Sequence, residues 1–320
     1  MLSRTADHLY WMARYIERAE NTARMLDVNV QTALMPQNAE AEENSWRAML
    51  SISELQDAFA RQHGDVTPDN VLNFMILSPD NPSSIYRCLQ AARENARAVR
   101  GTLTTEVWET HNTTWLELQK LMKDGMPTKN PSGFFEWVKH RSHLSLGVTQ
   151  GTMLKDDSHH FLRIGTALER ADNTARLLDV KFHSLPYNPR RPVTETEAVQ
   201  TDYYHWAAIL RSVSGFEIYR KVYRDVITPA RVAELLILRA SMPRSLLASM
   251  NEVCHVLESV ANDYSGDTLR RAGRLRSEIQ FSEIDDILQT GLHAYLTHFL
   301  ERVNDLGNRV SRDFLVPLMN

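Results

Sequence analysis

Two stretches of this 320-residue chain read almost alike: Glu17-Arg18-Ala19-Glu20-Asn21-Thr22-Ala23-Arg24-Met25-Leu26-Asp27-Val28 and Glu169-Arg170-Ala171-Asp172-Asn173-Thr174-Ala175-Arg176-Leu177-Leu178-Asp179-Val180. Ten of the twelve positions are identical, at an offset of 152 (169 − 17). Take Glu17 as the zero of angle on a helix. Asn21 then lies near ~40°, Arg24 near ~−20°, Arg14 near ~60° and Arg18 near ~100°. Met12, Ile16, Ala19, Ala23, Leu26 and Val30 gather on the far side, between roughly 180° and 260°. One face is apolar and lined with small residues, so another backbone can come close. The other is a compact set of Arg, Glu and Asn. The second stretch keeps Glu169, Arg170, Asn173 and Arg176, but Thr166 stands where the first has Arg14.

A fainter echo surrounds this pair. Trp46 with Leu50 matches Trp206 with Leu210. The run from Val66-Thr67-Pro68 to Ile76-Leu77 matches that from Ile227-Thr228-Pro229 to Ile237-Leu238. The expected fold is all-α, a multi-helix bundle built from two tandem repeated halves, 1–152 and 153–320, in one continuous body. Gly and Pro are scarce, at 12 each, and no run alternates strictly between apolar and polar residues. Helix starts are well marked. Thr67-Pro68, Thr228-Pro229, Asn81-Pro82 and Asn130-Pro131 each put a capping side chain before a proline. Thr194 with Glu197, and Ser282 with Asp285, resemble capping boxes. The helices are expected at 3–34, 39–62, 68–78, 82–122 (with a break near Gly101), 131–150, 157–182, 194–222, 229–239, 243–263, 265–280 and 283–316. His183 to Pro192, with three prolines, reads as a linker or surface loop.

Composition narrows the function. Lys plus Arg is 36 against 40 Asp plus Glu, a net charge of −4. That balance argues against a nucleic-acid binder. No stretch approaches the apolar length of a membrane span. The N-terminus carries Arg4, Asp7, Arg14 and Glu17, which no signal peptide would. Two cysteines, Cys88 and Cys254, make no disulfide framework and no zinc site, so a cytoplasmic protein with buried thiols is expected.

The repeated polar face has two readings. It is a solvated stripe of i, i+4 ion pairs worth tenths of a kcal/mol, or a semi-buried cluster in which Arg, Glu and Asn satisfy one another. The identity kept between the two stretches favours the second. Such a cluster is either architecture or a ligand site, because burying those charges is costly without full pairing. As a site, Glu17 and Glu169 would be the acid–base groups. Arg14, Arg18, Asn21, Arg24, Arg170, Asn173 and Arg176 would hold an anionic substrate. A third polar run, Arg93-Glu94-Asn95-Ala96-Arg97-Ala98-Val99-Arg100, puts Arg93, Arg97 and Arg100 on one face with Asn95 beside them. It suits carboxylate or phosphate binding, or is an exposed basic face. No Gly-rich phosphate loop accompanies it. Asp156, Asp157, His159 and His160 cluster before the second motif. Neighbouring helical residues point about 100° apart, so an N-cap at Asp157 or Ser158 fits better than a metal site. His8 aligns with His160, which leaves a shared polar site open. His140, His143, His293 and His298 read as structural. Trp11, Trp46 and Trp206 need no cofactor.

These motifs together resemble the bacterial alpha-E domain family. The resemblance rests on Ser3-Arg4, Leu9 to Arg24, Ala92 to Arg100 with Glu106, Trp108, Glu109 and Asn112, Phe161 to Gly165 leading into Glu169-Arg170, and Gly291 to Leu296. It implies an all-helical fold and brings no catalytic mechanism of its own. Members sit beside, or are fused to, a circularly permuted ATP-grasp protein and a transglutaminase-like protein. The resemblance therefore implies a helical component of an ATP-dependent peptide or amide synthesis or modification system. No cofactor or metal would be held in this chain, and ATP and Mg would sit on the partner. The alternatives are a stand-alone enzyme using the Glu/Arg/Asn cluster, and a purely structural or interaction protein.

Overall fold

Thr67 and Thr228 act as the hydroxyl-before-proline spacing requires. Each accepts the backbone N–H three residues on, from Asn70 and Arg231, and Pro68 and Pro229 occupy the first helical turn. Asn130 does the same for Gly133. Such caps punctuate a computed structural model that describes residues 1–34, 39–183 and 195–315, with backbone alone for 39, 41, 181–183 and 195–202.

Among the described residues there are sixteen α-helices and no strand. They are α1 (Ser3–Ala33), α2 (Ala39–Ile52), α3 (Gln56–Ala60), α4 (Pro68–Ile76), α5 (Ile85–Ala98), α6 (Thr105–Lys123), α7 (Met126–Lys129) and α8 (Pro131–Thr152), followed by α9 (Asp157–His183), α10 (Glu195–Ser212), α11 (Phe216–Tyr223), α12 (Pro229–Ile237), α13 (Leu246–Ser259), α14 (Gly266–Gln280), α15 (Ile284–Thr290) and α16 (Leu292–Val310). A π-helical turn, Ser311–Leu315, ends the described chain.

The two longest helices, α1 and α9, form the centre. They run side by side in the same direction: the N-terminal amine meets Asp157, the Tyr10 carbonyl lies against Gly165, and Arg18 meets Glu169. The contact is close because the facing residues are small. A Cβ at Gly165 would collide with the Tyr10 carbonyl oxygen. Ala19, Ala23, Ala171 and Ala175 are wholly buried, as the small-residue face requires. Around this pair, α5 and α8 lie on α1, while α13 and α16 lie on α9. The ends of α2 and α10 cross over, α2 packing on α9 and α10 on α1. The centre is therefore enclosed on its polar side as well as its apolar side.

Several expected boundaries shift. The 39–62 helix breaks at Ser53–Leu55 and the 194–222 helix at Val213–Gly215. Glu54 and Ser214 adopt left-handed φ values of 54° and 53° there. Leu55 and Gly215 then donate back to the Leu50 and Leu210 carbonyls, at 2.9 and 2.7 Å. The 283–316 helix breaks at Gly291, whose φ of 103° suits only glycine, and 82–122 breaks between Ala98 and Thr105. Asn81 does not cap a helix at Pro82. It accepts from Ser83 N in a turn, and Ser84 is the true cap, accepting from Arg87 N. Ser282 forms no capping box, because its hydroxyl donates to the Glu278 carbonyl. Asp156, one residue before the expected cap, accepts from Ser158 and His159 N–H. The Thr194–Glu197 box and most of the His183–Pro192 stretch lie outside the described residues.

Candidate functional site

The polar faces of α1 and α9 exchange partners. Arg18 sends Nε and Nη2 to Glu169, at 2.6 and 3.0 Å. Arg170 sends the same two nitrogens to Glu17, at 3.0 and 2.8 Å. Each carboxylate is thus gripped by a two-point guanidinium fork from the other helix, the geometry in which such pairs are strongest. Each also has a second guanidinium. For Glu169 it is Arg14, at 2.7 Å. For Glu17 it is Arg244, from the loop before α13, also at 2.7 Å. Thr166 stands where α9 has no counterpart of Arg14, and Arg244 supplies the missing cation. Thr174 accepts this task on the backbone side, donating its hydroxyl to the Arg244 carbonyl at 2.9 Å.

In the outer turns each arginine bonds a carboxylate of its own helix and a second residue from another element. Arg24 bonds Glu20 on its own helix and Ser214 Oγ, at 2.8 and 2.6 Å. Arg176 bonds Asp172 on its own helix and Glu54, at 2.7 and 2.5 Å. Both reach residues of the left-handed turns after α10 and α2. Glu20 further accepts from Ser142 and from Arg244, with His143 beside it. Asn21 donates to Glu17 and accepts from Arg244, and Asn173 donates to the Glu169 carbonyl.

This pairing sets the protonation states. Burial opposes charge on Glu17, Glu20 and Glu169, yet it is outweighed, by the guanidiniums at Glu17 and Glu169 and by the His143 hydrogen bond together with Arg244 and Arg24 at Glu20. All three carboxyls are held below their usual range, Glu169 at about 2. Asp172 goes the other way: burial prevails over Arg176 and raises it. At neutral pH Glu17 and Glu169 are carboxylates with no proton to give. Two of the residues that complete the cluster, Arg244 and His143, carry no motif. The signal for Arg244 was the gap at Thr166, together with the match of Pro243-Arg244-Ser245 to Pro82-Ser83-Ser84.

The family model called Alpha-E, described as a predicted alpha-helical domain with a conserved ER motif, matches residues 1–315. The chain belongs to the Alpha-E family. This Alpha-E chain has three Glu-Arg pairs, Glu17-Arg18, Glu169-Arg170 and Glu301-Arg302, and the first two are the ones that meet at its centre. Among curated proteins it is similar to uncharacterised proteins of Mycobacterium bovis and of two strains of Mycobacterium tuberculosis, CDC 1551 and H37Rv. Each is 23% identical, over 94% of this chain and 35% of the relative. The chain spans about a third of the length of the curated relatives it matches. No solved structure matches it.

The remaining candidates of the Alpha-E chain lie apart from this cluster. Arg93 bonds Asn112 and Glu94, and Arg97 pairs with Glu94. Arg93 and Arg100 lie over the Trp108 ring at 5.8 and 5.2 Å. They form a surface clasp between α5 and α6. Asn95 bonds His8 Nδ1 at 2.7 Å, while His160 borders a separate recess with Asp156 and Lys155. Cys88 is buried and its thiol pushed up to about 12 by burial. Among the described residues no three His, Cys, Asp or Glu side chains converge as a metal site would need, and no helix is long and apolar enough to cross a membrane.

Proposed function

We propose that this chain is a helical component that serves separate catalytic proteins, and that its Glu-Arg cluster is a clamp holding the component in shape. The observation carrying this reading is the state of Glu17 and Glu169. Each is locked by two guanidiniums and held well below the range in which a side chain exchanges protons at neutral pH. A general acid or base works best with a pKa near the operating pH, so the stand-alone enzyme built on these carboxylates is disfavoured. In the mycobacterial relatives the matched region is 35% of the length, so there the same unit sits in a chain with much other material. The partners themselves are those the family resemblance implies: a circularly permuted ATP-grasp protein and a transglutaminase-like protein, in ATP-dependent peptide or amide synthesis or modification. ATP and Mg would bind the ATP-grasp partner, with no cofactor in this chain.

In the same reading the chain consists of two equivalent units, 1–152 and 153–320, related by an approximate two-fold axis. The reciprocal forks, the Thr67 and Thr228 caps, the Ser84 and Ser245 caps and the Glu54 and Ser214 turns support it. Co-expression with the neighbouring ATP-grasp protein tests the functional reading. The pair is expected to co-purify and to form an ATP-dependent product, found by mass analysis, that needs both chains. The chain alone is expected to hydrolyse no ATP. Normal product formation without this chain, with no association at micromolar concentration, overturns it.

A further inference from the structure

The offset of 152 also aligns the residues just before the two Glu-Arg pairs, and there the copies differ. Tyr10, Trp11 and Arg14 of α1 correspond to Leu162, Arg163 and Thr166 of α9. Around Glu169 the large side chains fill the space. The Arg14 guanidinium bonds the Tyr10 hydroxyl and the carboxylate, lies 4.9 Å from the Trp11 ring, and reaches to Gly307 of α16. Around Glu17, Leu162 and Thr166 are too short to do this. A cavity of about 310 Å³ remains between α1, α8, α9 and α13, the size of a small-ligand site.

Its wall carries unused hydrogen-bonding capacity. His159 is 1% exposed, and among the described residues neither ring nitrogen has a hydrogen-bond partner; the Ser249 hydroxyl, 3% exposed, has none among them either. A buried polar group left unpaired costs about 1–3 kcal/mol, and both of these residues line the cavity. His159 stays neutral, since burial and the nearby Arg163 depress its pKa. Arg163 gives only its Nε to Glu252, at 2.5 Å. Arg170 gives Nε and Nη2 to Glu17. Among the described residues their other nitrogens make no hydrogen bond. The charged residues of the wall are Arg163 and Arg170 with Glu17, Glu20 and Glu252. Arg24 and Arg244, outside the lining, pair with Glu20 and Glu17, so all three carboxylates are already neutralised by guanidiniums. Met12, Ile16 and Leu162 supply an apolar side.

We propose that this cavity binds a small monocarboxylate that also carries a neutral hydrogen-bonding group. Its carboxylate sits on the spare nitrogens of Arg163 and Arg170. Its neutral polar group meets His159 and Ser249, and its aliphatic part lies on Met12 and Ile16. The inference goes beyond the partner reading and stands on the cavity alone.

Titration calorimetry at neutral pH with N-acetyl-L-leucine and N-acetyl-L-leucinamide tests it. The acid is expected to bind at least about tenfold more tightly than the amide. His159→Phe should weaken the acid by about tenfold while the thermal midpoint holds or rises, because two orphaned nitrogens are gone. Thr166→Arg with Arg244→Ser rebuilds the Glu169 arrangement and should abolish binding with an unchanged far-UV spectrum. If that double variant does not fold, His159→Phe and the acid–amide pair decide. Equal affinity for acid and amide, no binding of either up to about 10 mM, or acid affinity untouched by His159→Phe overturns the proposal.

Discussion

Glu17 and Glu169 are the same residue in the same motif, yet their surroundings differ. Glu169 is closed in by Tyr10, Arg14 and Arg18 from α1. Glu17 has a fork from α9, a borrowed cation from a distant loop, and a hollow beside it. One end fills its space with the side chain that supplies the charge. The other separates the two tasks, bringing the charge from Arg244 and leaving open the volume that an arginine at 166 would fill. Two stretches that share ten of twelve residues can thus differ in what they leave accessible.

The sharpest test is to remove one carboxylate charge at a time. Glu169→Gln strands Arg14 and Arg18 and should lower stability by about 3–5 kcal/mol, read from urea unfolding. Acid should do the same to the native protein. Glu169 sits at about 2 when folded against an ordinary 4.5, so its contribution is complete above pH 4.5 and drains away as the pH falls toward 2. Thermal melts across that interval should show the loss, and Glu169→Gln should flatten it. Glu17→Gln should cost less, about 1–3 kcal/mol, because Arg244 keeps Glu20 at 2.5 Å and solvent can enter beside it. Equal losses at the two carboxylates would erase the distinction between the ends. Gly165→Ala, which forces α9 off the Tyr10 carbonyl, should cost about 1–3 kcal/mol in the same assay. The smallest effect belongs outside the clamp. Arg97→Ala breaks an exposed pair with Glu94 and should stay within about 0.5 kcal/mol.

The clamp could be read from the sequence because its residues recur at one spacing and helix geometry places them on one face. Glu17, Arg18, Glu169 and Arg170 needed only that. What closes the clamp could not be read so directly. Arg244, Ser142 and His143 reach it from other elements, and only the tertiary fold brings them in. The breaks at Glu54 and Ser214 were hidden because neither residue is a glycine, and the left-handed turn is stabilised by the backbone bonds that follow it. Gly291 did carry a signal, but it sat inside an otherwise continuous apolar pattern. The cavity was legible only in part. The shortening from Tyr10 and Arg14 to Leu162 and Thr166 is in the sequence, but that nothing else refills the space depends on where α8 and α13 lie.

The crossed forks also govern how the protein comes apart. Lifting α9 away would strip Glu169 of Arg14 and Arg18 and take Arg170 from Glu17 in one movement, leaving Glu17 only the loop-borne Arg244. Both forks break together, so the two ends of the chain should melt in a single transition, each acting as the latch of the other.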